Sequence, residues 1–157
     1  MESLRLKRAT YRHIEAEIYS YHDTLKAIED LRRDIILSSR SEGVVAVGGD
    51  SYIQSGVERR ATRLADSILL KEMERITTAI RDVYRLTKDE ARRVIWVKYG
   101  LAIEWQPPKE LAAALSGWNR FTMSVRNMAD ILAVDESTFH RYRTGFVYGV
   151  AEKLGWY

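Results

Sequence analysis

Residues 136–148, ESTFHRYRTGFVY, set hydroxyl, imidazole and guanidinium groups at helical intervals. At about 100 degrees per residue, Ser137, Arg141, Thr144 and Tyr148 fall on one side of a helix, with Thr138 and His140 flanking them. Phe139, Tyr142, Phe146, Val147, Val150 and Leu154 gather on the other side and read as core. The polar side could do one kind of chemistry without a pocket. It could donate hydrogen bonds to base edges, where arginine with guanine is the commonest specific pair, and to phosphate oxygens. Arg143 lies nearer the apolar side and is expected on a phosphate or in an internal ion pair rather than on a base.

Other chemistries find less support. The three histidines, His13, His22 and His140, fall on separate expected helices, and no acid, serine or cysteine arrangement implicates them in catalysis. Cysteine is absent and no histidine pair has helical ligand spacing, so neither a thiolate nor a histidine metal site is expected, and no cofactor. Gly48 and Gly49 belong to no spaced glycine fingerprint and no lysine follows to complete a phosphate-binding loop. Trp96, Trp105, Trp118 and Trp156 read as anchors of a small core rather than as a cofactor box. The expectation is a protein that is not an enzyme.

The chain can build what would hold such a helix. At 157 residues, 46% hydrophobic and 30% charged, it has a globular composition and room for one ordinary domain, or a small one with a helical arm. A net charge of +3 permits a polyanionic partner without requiring one, so the cations have to be judged locally. No apolar run approaches the roughly 20 residues that span a bilayer, and the opening MESLRLKRATYRH has no apolar stretch behind it. With cysteine absent as well, a cytoplasmic location and no membrane partner are expected.

Apolar residues at Tyr11, Ile14, Ile18, Tyr21, Leu25, Ile28 and Ile35 form one helical stripe, breakable at SYHDT, where Asp23 or Thr24 could cap a second helix. Residues 38–56 gather glycine and serine and read as a linker, in which VVAV could pair as a short strand. A long helix is expected from about Val57 to Leu86, with heptad spacing through Leu69, Met73, Ile76, Ile80 and Val83. It suits an antiparallel hairpin with the first helix, on which an oligomer, a dimer in the first instance, could be built. Thr87 with Glu90 has the capping-box spacing, and the helix it opens turns apolar at Ala91, Val94, Ile95, Val97 and Tyr99 before Gly100. Pro107 and Pro108 can only start the next helix, which Gly117 would end.

Ahead of the polar helix, Thr122 or Ser124 can cap a short helix through about Ala133, AVD makes a tight turn, and Asp135 caps the helix running toward Leu154. Small Ala129 stands where the two helices would meet, and the turn carries Ala133 where glycine is more usual. The fold class expected is therefore all-α. Residues 1–86 would form an N-terminal long-helix hairpin, and residues 87–157 a small bundle ending in a helix-turn-helix.

The C-terminal ILAVDESTFHRYRTGFVYGVAEKLGW resembles the end of phage transcriptional regulators of the RinA and ArpU type, themselves similar to region four of bacterial sigma factors. The tyrosine-containing opening LRLKRATYRHIEAEIYSYHDTLKAIEDLRRDII extends the resemblance. The chain departs from it in VGGDSYIQSG and in the additional LAIEWQPPKELAAALSGWNRF. The resemblance implies a sequence-specific reader of double-stranded DNA acting on phage or prophage transcription in a bacterial host, with host RNA polymerase as a further partner. The base-reading role then falls on Ser137, Thr138, His140, Arg141 and Thr144, with Tyr148 on the same side and Arg120 and Arg126 on phosphates. An alternative is a phage small terminase subunit, in which long helices assemble a ring for genome packaging. There the helix-turn-helix generally precedes the oligomerising helices, whereas here it follows them.

Overall fold

A computed structural model of the chain describes residues 5–41 and 50–157. The fold is all-helical: among the described residues there are seven α-helices and no strand. They are α1 (Arg8–Tyr19), α2 (Tyr21–Ser41), α3 (Asp50–Arg85), α4 (Asp89–Tyr99), α5 (Lys109–Leu115), α6 (Val125–Leu132) and α7 (Glu136–Leu154). The expected VVAV strand and the pair Gly48 and Gly49 lie outside the described residues.

The expected break in the first helix occurs at Ser20, whose amide bonds back to the Ala16 carbonyl at 3.1 Å. The chain re-enters a helix at once, at Tyr21, so neither Asp23 nor Thr24 opens it. Asp23 instead sits in the first turn, where its carboxylate meets the positive end of the helix dipole. The linker is shorter than its composition suggests. Residues 38–41 finish α2 and residues 50–56 begin α3. Asp and Ser, which favour loops in a helix interior, are well tolerated at a helix start. The capping box at Thr87 does not form: the Thr87 hydroxyl donates to the Val83 carbonyl at 2.8 Å, closing α3, and Lys88 becomes the N-cap of α4 without a side-chain bond.

The chain divides into two compact units, one comprising the chain up to Tyr21 together with Thr78–Tyr157, the other His22–Thr77. The boundary expected from the sequence lies at 86. The last turns of α3 belong instead with the C-terminal helices, because Tyr84 is fully buried with its ring edge-on to Phe146, and Val83 lies against Gly149. The helix α1 belongs there too, packed on α7.

In the first unit α7 is the central element, in contact with α1, α4 and α6. Ala91, Val94, Ile95, Val97 and Tyr99, the apolar positions read from the sequence of α4, are all buried. A core of Val94, Val97, Leu111, Leu115, Met123, Met128, Ala129 and Phe139 ties α4, α5, α6 and α7 together. Burial of this many aliphatic and aromatic side chains, at roughly 1.5–3 kcal/mol each, is what holds such short helices in place. Gly100, in the left-handed region at φ 71, ends α4 as expected. The expectation that the tryptophans anchor the core holds only in part: Trp96 packs on this core, whereas Trp118 is 55% exposed.

In the second unit, Ile28 and Ile76 are buried, and Arg32 of α2 pairs with Glu74 of α3 at 2.5 Å. Farther along these helices Ile36, Leu37, Val57, Leu64, Ile68 and Leu69 are each more than half exposed.

Candidate nucleic-acid interface

The helix pair α6 and α7 is built by local rules. Ser124 caps α6, its hydroxyl accepting the Asn127 amide at 3.2 Å. Ala133 ends α6 in the left-handed region at φ 55, and the Val134 amide returns to the Ala129 carbonyl at 3.0 Å, a six-residue closure that turns the chain sharply. Alanine at a site that suits glycine is a strained choice. Asp135 then opens α7 through its backbone, its carbonyl accepting the Phe139 amide at 3.0 Å. Phe139, Phe146, Val147, Val150 and Leu154 are buried on the core side, as their spacing indicated.

The eight residues singled out for DNA contact fall in three places. Ser137, His140 and Arg141 are exposed on the outer side of the first half of α7, with Thr138 half-exposed beside them. Arg141 lies over the Tyr142 ring, 5.5 Å from its centroid, and makes no ion pair among the described residues. Asp135 and Glu136 are exposed at the same end of the helix. Arg126 is exposed on the first turn of α6.

The others are drawn into the fold. Tyr148 accepts the Leu6 amide at 3.2 Å on its hydroxyl, and its ring stands edge-on to Tyr11. Thr144 is half-buried beside Tyr11. Arg120 folds over the Trp96 ring, 5.8 Å from its centroid, and fills the space beside Gly100, where a Cβ would come within 2.0 Å of its Nη1. Burial there holds the Arg120 guanidinium below its ordinary pKa.

Arg143 takes the internal ion pair. Its Nη2 and Nε donate to Glu15 Oε2 at 2.8 and 3.1 Å, and Nε also reaches the Tyr99 hydroxyl at 3.3 Å. Tyr99 in turn donates to Glu15. Burial first, and then the bond to Glu15, pushes the Tyr99 phenol far above its usual range. Burial works against the Arg143 charge, but its bonds to Glu15 and Tyr99 outweigh that and hold the group protonated. This triad stitches α1, α4 and α7 together. Sequence reasoning missed Glu15 and Tyr99. The available signal was the angular position of Arg143, which left an internal ion pair as one of its two expected roles.

Beside Arg141 a shallow cleft of ≈ 220 Å³ opens between α7, the end of α3 and the start of α4, lined by Lys88 and Arg141 and floored by Val83, Ala91 and Phe146. The histidines do not converge: His13 on α1 packs against Trp156 with the rings tilted, His22 lies on α2, and His140 is exposed on α7. Among the described residues, no group of three or more acidic or histidine side chains is placed to hold a metal ion. No family model, curated protein or solved structure matches the chain.

Proposed function

We propose that the chain is a sequence-specific DNA-binding regulator of phage or prophage transcription, in which α6, the turn at 133–135 and α7 act as a helix-turn-helix and α7 enters the major groove. One observation carries the reading. The outer side of the first half of α7 leaves Ser137, His140 and Arg141 exposed, while the opposite side is locked into the core. A helix anchored on one side and bearing an unpaired guanidinium flanked by hydroxyls on the other is equipped to read base edges. In this role Arg141 recognises guanine, Ser137, Thr138 and His140 supply neighbouring hydrogen bonds, and Arg126 holds a phosphate. No catalysis is required. Host RNA polymerase and a second copy of the chain are the protein partners in this reading.

A second reading, a terminase-like packaging subunit, draws on the exposed Leu64, Ile68 and Leu69 of α3, since ring assembly needs apolar helical surface outside the core. Selection from randomised duplex DNA, with light scattering on the same preparation, separates the two. A recovered motif bound by a monomer or dimer supports the regulator. A ring of many subunits that binds without a motif supports packaging.

A further inference from the structure

Two glycines interrupt the interior of α7, where glycine is among the least favourable residues. Gly149 has an internal reason: a Cβ there would come within 2.9 Å of Val83 Cγ1, so α3 could not lie as close. Gly145 has none, because a Cβ at that position meets nothing within 4 Å. The bare stretch of helix at Gly145 forms one wall of the cleft whose rim carries Lys88 and Arg141. Neither cation makes an ion pair among the described residues. The neighbouring Asp89 carboxylate is taken up elsewhere, accepting from Trp105 Nε1 at 2.9 Å and from Arg93 at 3.0 Å.

We infer that this cleft seats the sugar-phosphate backbone of duplex DNA, with Gly145 the point of closest approach to α7 and Lys88 a phosphate contact from outside the helix pair. The inference rests on the DNA-binding reading and deepens it. Two unpaired cations flanking a bare helix wall complement a phosphodiester in charge, and the missing side chain leaves room for a deoxyribose at the helix surface. Lys88 contacts only phosphate and carries no sequence information, whereas Arg141, on the rim shared with the outer side of α7, reaches a base.

The test uses the full chain and two variants, Lys88→Gln and Gly145→Leu, each titrated with a selected duplex and with a scrambled duplex across a salt series. Lys88→Gln is expected to weaken both duplexes to a similar extent and to reduce the slope of log affinity against log salt by roughly 0.9, the share of one phosphate. Gly145→Leu is expected to keep the thermal midpoint at or above that of the unsubstituted chain, because the side chain enters open space, while weakening both duplexes at least about tenfold. An unchanged salt slope in Lys88→Gln, or unchanged binding by a folded Gly145→Leu, overturns the inference and leaves the DNA-binding reading standing. Absence of DNA binding by the unsubstituted chain overturns both.

Discussion

Arg141 and Arg143 stand two residues apart on α7 and have opposite fates. Arg143 turns inward, where Glu15 from α1 and Tyr99 from α4 satisfy it, and its side chain is 17% exposed. Arg141 turns outward, lies over Tyr142 and pairs with no acid among the described residues. The residue type is the same, and about 200 degrees of helical rotation decides which guanidinium holds the fold and which is left at the surface. The contrast teaches that an arginine in a polar run has to be assigned by its angle on the helix.

The largest way to test this contrast is to remove each arginine and measure stability. Arg143→Ala should cost about 3 kcal/mol in chemical denaturation, since it leaves the largely covered Glu15 carboxylate without its counter-charge. Arg141→Ala should stay within about 0.5 kcal/mol of the unsubstituted chain, as expected for an exposed side chain whose one contact is with the neighbouring Tyr142 ring. Equal losses would erase the distinction.

The inward region also predicts a pH dependence. Tyr11, Tyr19, Tyr21, Tyr84 and Tyr99 are all held above their ordinary value of 10.0, with burial the leading cause. Above that value the unfolded chain releases phenolic protons that the folded chain keeps, so stability is complete below about pH 10 and falls as the pH rises past it. Lys98, held below 10.5 by burial, acts in the opposite sense but is one group against five. Thermal melts from neutral to alkaline pH should show this fall, and Tyr99→Phe should make it shallower. A midpoint that holds steady above pH ~10 would mean that the fold does not hold these phenols above their ordinary value.

Smaller effects sharpen the outer region. Gly145→Ala should stabilise by about 1 kcal/mol, whereas Gly149→Ala should lose that gain and more against Val83. Ala133→Gly should stabilise by about 1 kcal/mol by relieving the left-handed alanine in the turn. Destabilisation by Ala133→Gly would mean that the turn between α6 and α7 is not the one described.

Much of the first unit was legible because its signals are local. The apolar spacing of α4, the glycine at its end, the Ser124 cap and the buried side of α7 all follow from neighbours within a few turns. The departures arise where distant chain segments compete. Thr87 looks like a cap until Val83 offers its carbonyl, and Arg120 looks like a phosphate ligand until Trp96 and Gly100 accommodate it. Tyr148 looks free until the N-terminal segment reaches it at Leu6. The position of α1 against α7 was not legible at all, because the pairing of Glu15 with Arg143 spans most of the chain and has no periodic signature.

The most direct test of the central claim compares the affinity of the unsubstituted chain and of Arg141→Ala for a selected duplex and for its scrambled counterpart at one salt concentration. A loss of about 1–3 kcal/mol is expected on the selected duplex and almost none on the scrambled one. Equal loss on both would move Arg141 to a phosphate, and no loss on either would contradict the assignment of the outer side of α7 as the reader of DNA.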